Sequence, residues 1–253
     1  MWTEQTVQKL RQMRLHGMAD AVVNQAERTD VQGLGFEERL ALIVDAEWNA
    51  RENRRLTRLL KEARLKIPQA CLEDIDYTHS RGLEKSLMRS FSAGNWLNAH
   101  HNILITGPTG VGKSYIACAL GNFACRQGRT TRYFRTSRIM SELAMARGDG
   151  SFQRVLSKLA KTEVLILDDF GLSPLTSNQC TDLMEVIDDR TNAVTIIASQ
   201  LPIENWYATF EDPTTADAIL DRLVHNAYKI RLTGESMRKI RGFLTEDSAE
   251  TRE

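Results

Sequence analysis

The stretch ILITGPTGVGKSYIACAL, residues 103–120, decides the fold of this chain. Its first apolar residues predict a buried strand, its glycines predict a turn, and its last apolar residues predict a helix. Residues 107–114, GPTGVGKS, match the pattern G-x-x-x-x-G-K-[ST]. Glycines let successive backbone N–H groups turn inward, and the following helix adds the positive end of its dipole. The stretch therefore predicts a phosphate-binding loop.

Two side chains of this loop are expected to complete a nucleotide site. Lys113 would reach the β- and γ-phosphates, and the hydroxyl of Ser114 would be a ligand of Mg²⁺. The predicted nucleotide-binding residues are Gly107, Pro108, Thr109, Gly110, Val111, Gly112, Lys113, Ser114 and Tyr115.

A second motif, VLILDDF at residues 164–170, is typical of a buried strand that ends in carboxylates. Asp168 lies at the strand end, where it can hold Mg²⁺ through water and face the phosphate loop. Asp169 beside it is a candidate to orient or deprotonate the attacking water. The alternative interpretation is a solvated turn at the end of the strand.

The composition is that of an ordinary globular chain. Of 253 residues, 42% are hydrophobic and 26% charged, and the formal net charge is zero. Binding to nucleic acid must therefore depend on local patches. The start of the chain lacks the apolar core of a signal peptide, and we predict a soluble cytoplasmic protein. Four scattered cysteines fit reduced thiols: Cys71, Cys118, Cys125 and Cys180.

The order of apolar patterns predicts an α/β fold after a helical segment. Strand patterns alternate with helical patterns, which indicates a parallel sheet of five strands covered by helices on both faces. The predicted strands are 102–106, 130–136, 163–168, 193–198 and 227–232. Residues 3–66 have helical periodicity, interrupted at Gly33 and Gly35. We place an all-helical domain at residues 1–70 and the α/β domain at residues 71–253.

The strand predicted at 193–198 is followed by two polar residues, Ser199 and Gln200. A polar side chain at this strand end can sense the γ-phosphate between the two motifs. Gln200 is the candidate and Ser199 the alternative, and ordinary strand-end polarity would explain either residue as well.

Arg222 lies in an amphipathic helical pattern, ADAILDRLVHNA at residues 216–227. An arginine here can reach the nucleotide of a neighbouring subunit and stabilise charge in the transition state. A surface salt bridge to Asp217 or Asp221 is the alternative.

Residues 126–138, RQGRTTRYFRTSR, contain five arginines and no acidic residue. Arg132, Arg135 and Arg138 are candidate DNA contacts, because cations beside aromatic rings suit a nucleic-acid backbone and its bases. Interior strands of a parallel sheet are rarely so charged, so we expect an edge strand. The alternative is a solvated edge strand whose aromatic residues belong to the core.

Residues 51–66 carry seven basic and two acidic residues on a helical pattern. Leucines and alanine recur on one face, which we extend to Ile67, and the opposite face carries the basic residues. Those candidate DNA contacts are Arg51, Arg54, Arg58 and Lys61. A merely solvated helix face is the alternative.

The combination of GPTGVGKS, LILDDFG, IIASQLP, ILDRLVHNA and LTGESMRK resembles the IstB family of AAA+ ATPases. These are helpers of insertion-sequence transposases and are related to the DnaC helicase loaders. The segments LRQMRLHGMADAV and FEERLALIVDAEWNARENRRL extend the resemblance over nearly the whole chain. The resemblance implies hydrolysis of ATP with Mg²⁺, ATP-driven self-assembly on duplex DNA, and stimulation of the transposase of the same element. It also places Arg238 at a family-typical position, in contact with phosphate or DNA.

Two departures from the AAA+ pattern affect the expected mechanism. Asp169 stands where most AAA+ proteins have glutamate, and few residues follow Arg222, which predicts that a full helical lid is lacking. A nucleotide left open on that side is most easily covered by a neighbouring subunit. The alternatives are a DnaC-like helicase loader, a small-molecule P-loop kinase, and a nucleotide-locked DNA scaffold that hardly hydrolyses ATP.

Overall fold

The structure, a computed structural model, describes residues 4–28, 31, 33–237 and 239. Arg238 lies outside the described residues, so its predicted contact with phosphate or DNA stays a prediction. The chain divides into two compact units, residues 1–58 and 59–253. This division lies before the boundary that we predict at residue 70, and the second unit includes the buried residues Leu59 and Leu65.

The first unit is helical, as predicted. Its helices are α1 (Glu4–Gln12), α2 (His16–Glu27) and the first part of α3 (Phe36–Ala63). Close packing within this unit requires a glycine in α2, since a Cβ atom on Gly17 would lie 2.6 Å from the carbonyl oxygen of Ala46. The carboxylate of Glu47 accepts a hydrogen bond from the backbone N–H of Met18 at 3.2 Å.

The second unit contains the predicted alternation of strands and helices. After α4 (Lys85–Ser92) and α5 (Asn95–Asn98), the order is β1 (Asn102–Thr106), α6 (Lys113–Arg126), β2 (Thr131–Arg135), α7 (Thr136–Gly148), α8 (Phe152–Ala160), β3 (Val164–Phe170), α9 (Ser177–Asp188), β4 (Val194–Ser199), α10 (Pro213–Val224) and β5 (Ala227–Arg231). Among the residues so described, no helix is both long and apolar enough to cross a bilayer.

The five strands form one parallel sheet in the order β2-β3-β4-β1-β5. The prediction of a parallel five-stranded sheet is confirmed, and β2 lies at an edge as its charge predicts. Leu104, Leu167 and Ile197 pack into an apolar cluster with residues of α7, α8, α9 and α10. On the other face α6 packs so closely that a Cβ atom on Gly121 would lie 2.7 Å from Cδ1 of Ile166. Helices therefore cover both faces.

The register of the sheet brings three strand ends together. Thr106 at the end of β1 lies opposite Ser199 at the end of β4, and Phe170 of β3 pairs with the same serine. The carboxyl ends of parallel strands form the edge at which α/β proteins bind ligands. The phosphate loop after β1 and the acidic pair of β3 consequently share one edge of the sheet.

Candidate nucleotide-binding site

The phosphate loop is held by glycines in backbone conformations that other residues rarely adopt. Gly107, Gly110 and Gly112 have φ angles of 146°, 87° and 102°. The chain after β5 lies directly against the loop, because Leu232 N–H donates to Thr106 O at 2.7 Å and Met237 N–H donates to Gly110 O at 3.0 Å. A Cβ atom on Gly107 or Gly110 would collide with this segment. The loop is therefore a narrow backbone cradle closed on one side by residues 232–237.

The ammonium group of Lys113 lies inside the loop. It donates to the carbonyl oxygens of Gly107 and Pro108, both at 2.7 Å. Burial lowers the pKa of Lys113, while the charges of Asp168 and Asp169 oppose this shift. A lysine ammonium beside a glycine-rich loop that leads into a helix is the arrangement that binds a triphosphate.

Asp168 is the centre of a buried polar cluster and is 1% exposed. Its Oδ2 atom accepts hydrogen bonds from Ser114 Oγ at 2.7 Å, Tyr133 OH at 2.6 Å and Lys66 Nζ at 3.2 Å. Burial alone would raise the pKa of Asp168, but these hydrogen bonds and the Lys66 charge hold it below its ordinary value. A hydroxyl and a carboxylate at this separation are the oxygen donors that suit Mg²⁺. The predicted magnesium ligands are thus brought together.

Asp169 has a left-handed backbone, with φ of 58°. Aspartate tolerates this region better than most residues, and the Asp169 N–H donates to Asp168 Oδ1 at 2.9 Å. Its carboxylate lines the same cavity as the loop and lies 3.7 Å from Arg135 Nε. The candidate group for orienting water therefore lies beside the phosphate loop and carries a cationic partner.

The two polar residues after β4 differ in their surroundings. Ser199 is fully buried and donates to Phe170 O at 2.7 Å. Gln200 lines the cavity and accepts a hydrogen bond from Thr109 Oγ1 at 2.8 Å. Of the two candidates for sensing the γ-phosphate, only Gln200 faces the site.

The cavity beside the loop has a volume of about 230 Å³. Thr109, Gly110, Gly112, Lys113, Ser114 and Tyr115 line it on the loop side. Lys66, Ile67, Asp74, Asp76, Arg81 and Met237 also line it. Val111 is buried beneath the loop, where its carbonyl accepts from Arg81 at 3.0 Å. Phosphate donors at one end and apolar side chains beside them fit a nucleotide.

Arg222 lies at the amino-terminal end of the parallel strands, opposite the end that carries the phosphate loop. The carbonyl oxygen of Arg222 accepts from Asn102 Nδ2 at 3.2 Å, and Asn102 begins β1 whereas the phosphate loop follows its end. The Arg222 Nε atom forms an ion pair with Asp188 at 2.5 Å, and both side chains are exposed. The alternative of a surface salt bridge is therefore observed, but its partner is Asp188 and the predicted partners Asp217 and Asp221 are wrong. A strand of this length spans roughly 16 Å. Arg222 is therefore remote from the phosphate loop of its own chain.

The two aromatic residues of the 126–138 segment are half-buried and contact other side chains of the protein. Tyr133 donates to Asp168, and burial followed by this hydrogen bond raises the tyrosine pKa. Phe134 packs against the apolar cluster. These contacts favour the core alternative for both aromatic residues, and their contact with bases stays a prediction. Among the arginines, Arg126 pairs with Glu73 and Arg129 with Glu163.

The other basic segment is also partly paired. Arg51 and Arg54 contact Glu47 at 2.7 and 3.3 Å. Helix α3 ends at Ala63, so the apolar face does not extend to Ile67 as predicted. Arg64 follows with a φ of 51°, which turns the chain out of the helix. Arg58 and Lys61 are exposed on the last turns.

Sequence inspection missed two members of the Asp168 cluster, Lys66 and Tyr133. Lys66 was one of seven basic residues in its segment, and Tyr133 was one of two adjacent aromatic residues on a charged strand. Period-two alternation puts Tyr133 and Arg135 on the same face of β2. This alternation predicts the shared face, but it does not predict that Tyr133 contacts Asp168 and Arg135 contacts Asp169.

The strand order, the loop after β1 and the acidic pair of β3 define a P-loop protein of the AAA+ class. The fold is similar to that of the DnaI crystal structure, with a TM-score of 0.57 and 20% identity over 70% of this chain and 94% of that chain. It is also similar to the DnaC helicase loader, with a TM-score of 0.56 and 17% identity over 64% of this chain and 96% of the other. The fold is similar as well to that of AMPPCP-bound DnaA from Aquifex aeolicus, with a TM-score of 0.56 and 18% identity over 71% of this chain and 56% of that chain.

The family model of the IstB-like ATP binding protein matches residues 8–242, and the chain belongs to this family of ATP-binding proteins. An insertion sequence ATP-binding protein of Sinorhizobium fredii is 45% identical over 94% of this chain and 98% of its own length. The insertion sequence IS1162 ATP-binding protein of Pseudomonas fluorescens is 50% identical over 80% of this chain and 88% of its own. The sequence resemblance to the IstB family is thereby confirmed.

Proposed function

We propose that this protein is an ATP-dependent, DNA-binding regulator of transposition. ATP and Mg²⁺ assemble its subunits on duplex DNA, the assembly activates the transposase of the same insertion element, and hydrolysis resets it. The relatives described above are named as ATP-binding proteins of insertion sequences, which favours this role over that of a DnaC-like helicase loader. The likeness to helicase loaders concerns the fold.

A single observation carries the assembly step. The phosphate loop and the magnesium ligands lie at the carboxyl ends of the strands, and Arg222 lies at their amino ends. An arginine so placed cannot serve the nucleotide of its own chain, but it can reach the nucleotide of a second copy. A nucleotide contacted by two subunits joins them, because binding energy from both sides depends on the same ligand.

Hydrolysis requires a group that orients water and groups that stabilise charge on the phosphates. In our proposal Asp169 orients the water, Gln200 contacts the γ-phosphate, and Lys113 with the neighbour's Arg222 stabilises the transition state. When bound, Mg²⁺ neutralises charge between the β- and γ-phosphates. Asp169 is one methylene shorter than glutamate, so a nucleotide-locked scaffold with little hydrolysis is the second outcome that kinetics would reveal.

Contacts with DNA are proposed at cations that are exposed or half-buried at the surface. Arg132 is half-buried, and Arg135 and Arg138 are exposed at and after the end of the edge strand β2. The basic residues of α3 provide the second patch. All four basic residues are exposed: Arg51 and Arg54 share Glu47, and Arg58 and Lys61 lie on the last turns. Electrostatic contacts of this kind bind the backbone without selecting sequence.

We expect the double variant Arg58→Gln/Lys61→Gln to weaken the salt dependence of DNA binding. Each lost phosphate contact lowers the slope of log K against log salt by about 0.9, so two contacts lower it by about 1.8. Fluorescence anisotropy of a labelled duplex over a salt series measures the slope. The matched control is Lys158→Gln/Lys161→Gln, which removes two exposed lysines at the end of α8. An unchanged slope in the α3 variant would remove this patch from the proposal.

The whole proposal is tested by measuring ATP hydrolysis and particle size together, with and without duplex DNA. We expect particles larger than a monomer only with ATP, Mg²⁺ and DNA present, together with DNA-stimulated hydrolysis. A small-molecule kinase would stay monomeric and ignore DNA. A protein that remains a monomer when saturated with all three ligands does not have the proposed function.

A further inference from the structure

The ammonium group of Lys66 contacts both predicted magnesium ligands, Ser114 and Asp168. Its Nζ atom is 3.3 Å from Ser114 Oγ and 3.2 Å from Asp168 Oδ2. The Lys66 side chain is 29% exposed, whereas that of Asp168 is 1% exposed. The buried carboxylate is thus already partnered by a positive charge from the chain itself.

An ammonium group and Mg²⁺ make competing demands on these oxygens. Mg²⁺ binds its ligands at about 2.0–2.1 Å in near-octahedral geometry. An ammonium group held against the same hydroxyl and carboxylate occupies the space in which such an ion would sit. Two cations at that separation also repel each other strongly in a partly buried site. Lys66 in this position and a magnesium ion ligated directly by Ser114 and Asp168 therefore exclude each other.

We propose that Lys66 is a tethered counter-cation that holds the magnesium position and that Mg²⁺ with ATP must displace. The proposal rests on the magnesium–ATP site of the proposed function and is independent of DNA and transposase. Lys66 lines the nucleotide cavity, so its flexible four-carbon stem allows the ammonium to leave the carboxylate while staying in the cavity.

The residues next to Lys66 indicate how its ammonium group can leave the carboxylate. Leu65 is buried, and Arg64 ends the helical backbone with a φ of 51°. Ile67 lines the nucleotide cavity on the other side of Lys66. Since Leu65 beside it is buried, we expect the ammonium to leave by rotation of the Lys66 side chain rather than by movement of the backbone. Lys66 thus acts as a positioning residue, because it controls access of the ion to its ligands.

The first test is the magnesium dependence of nucleotide binding in Lys66→Met. A fluorescent ATP analogue is titrated at a series of magnesium concentrations, with Lys158→Met as the control that removes an exposed lysine elsewhere. If Lys66 is seated in about nine of ten molecules, the apparent magnesium affinity is reduced about tenfold. We therefore expect Lys66→Met to need about tenfold less magnesium for half-saturation. In EDTA, where no divalent cation is present to replace the Lys66 ammonium, it should bind the analogue several-fold more weakly than wild type.

The second test uses thermal unfolding without nucleotide. Removing the partner of a buried carboxylate should lower the Tm of Lys66→Met by roughly 3 °C. Adding Mg²⁺ alone should restore much of this loss in the variant and change wild type little. Should Lys66→Met fail to fold, Lys66→Gln keeps a hydrogen-bond donor without the charge and gives the same comparison.

The two possible failures are distinguishable. Equal magnesium requirements in wild type, Lys66→Met and Lys158→Met would overturn the role of Lys66 and leave the nucleotide site intact. Nucleotide binding by wild type that is independent of magnesium would instead overturn the magnesium site of the proposed function. Opposite changes in EDTA and in magnesium would support the counter-cation, since a general loss of stability changes both in the same direction.

Discussion

Lys113→Ala is expected to abolish ATP-dependent assembly and to lower ATP affinity by at least about a hundredfold. The Lys113 ammonium is enclosed by the loop, where a charge-assisted hydrogen bond to phosphate contributes about 1.5–3 kcal/mol. Loss of two such bonds to the β- and γ-phosphates exceeds the ~2.7 kcal/mol that a hundredfold change requires. Calorimetric titration with ATP and light scattering on duplex DNA measure the two effects.

The fold should survive this substitution. The Lys113 ammonium donates to the carbonyl oxygens of Gly107 and Pro108 within the loop, and water in the cavity can replace those bonds. Lys158→Ala is the matched control on the exposed face of α8 and should assemble as wild type does. If Lys113→Ala still assembles when ATP is added, the phosphate loop does not drive assembly.

Arg222→Ala is expected to lower ATP hydrolysis by roughly 10³-fold while ATP binding by the single chain stays unchanged. An arginine supplied to a phosphoryl group from a neighbouring subunit typically contributes 10³–10⁵ in rate. Binding by one chain is unaffected because Arg222 lies at the sheet edge opposite the phosphate loop. Steady-state hydrolysis on duplex DNA and calorimetric binding without DNA separate the two quantities.

Mixing experiments give the decisive control for a contribution from the neighbouring subunit. Lys113→Ala retains Arg222 but lacks a working loop, and Arg222→Ala retains the loop, so mixed assemblies should recover part of the activity. Asp188→Asn removes the ion-pair partner of Arg222 and should hydrolyse ATP at least as fast as wild type. Normal hydrolysis by Arg222→Ala, or no recovery on mixing, would rule out this arginine.

Local sequence was sufficient for the elements that carry their own signals. The phosphate loop needs glycines at φ values that side chains disfavour, so its pattern is visible in GPTGVGKS. The edge position of β2 followed from its charge, since buried parallel strands exclude arginines. The roles of Asp169, Gln200 and Arg222 in catalysis stay predictions. The lack of a full helical lid also stays a prediction, because residues 238 and 240–253 lie outside the described part of the chain.

The sequence alone determined the class of fold, the loop, its lysine and the aspartate that faces it, because each depends on residues close together along the chain. Only the tertiary structure decided that Lys66 and Tyr133 converge on Asp168, that Gln200 rather than Ser199 faces the cavity, and that Arg222 pairs with Asp188. These contacts join residues far apart in sequence, so the register of the sheet and the packing of its helices had to be known first.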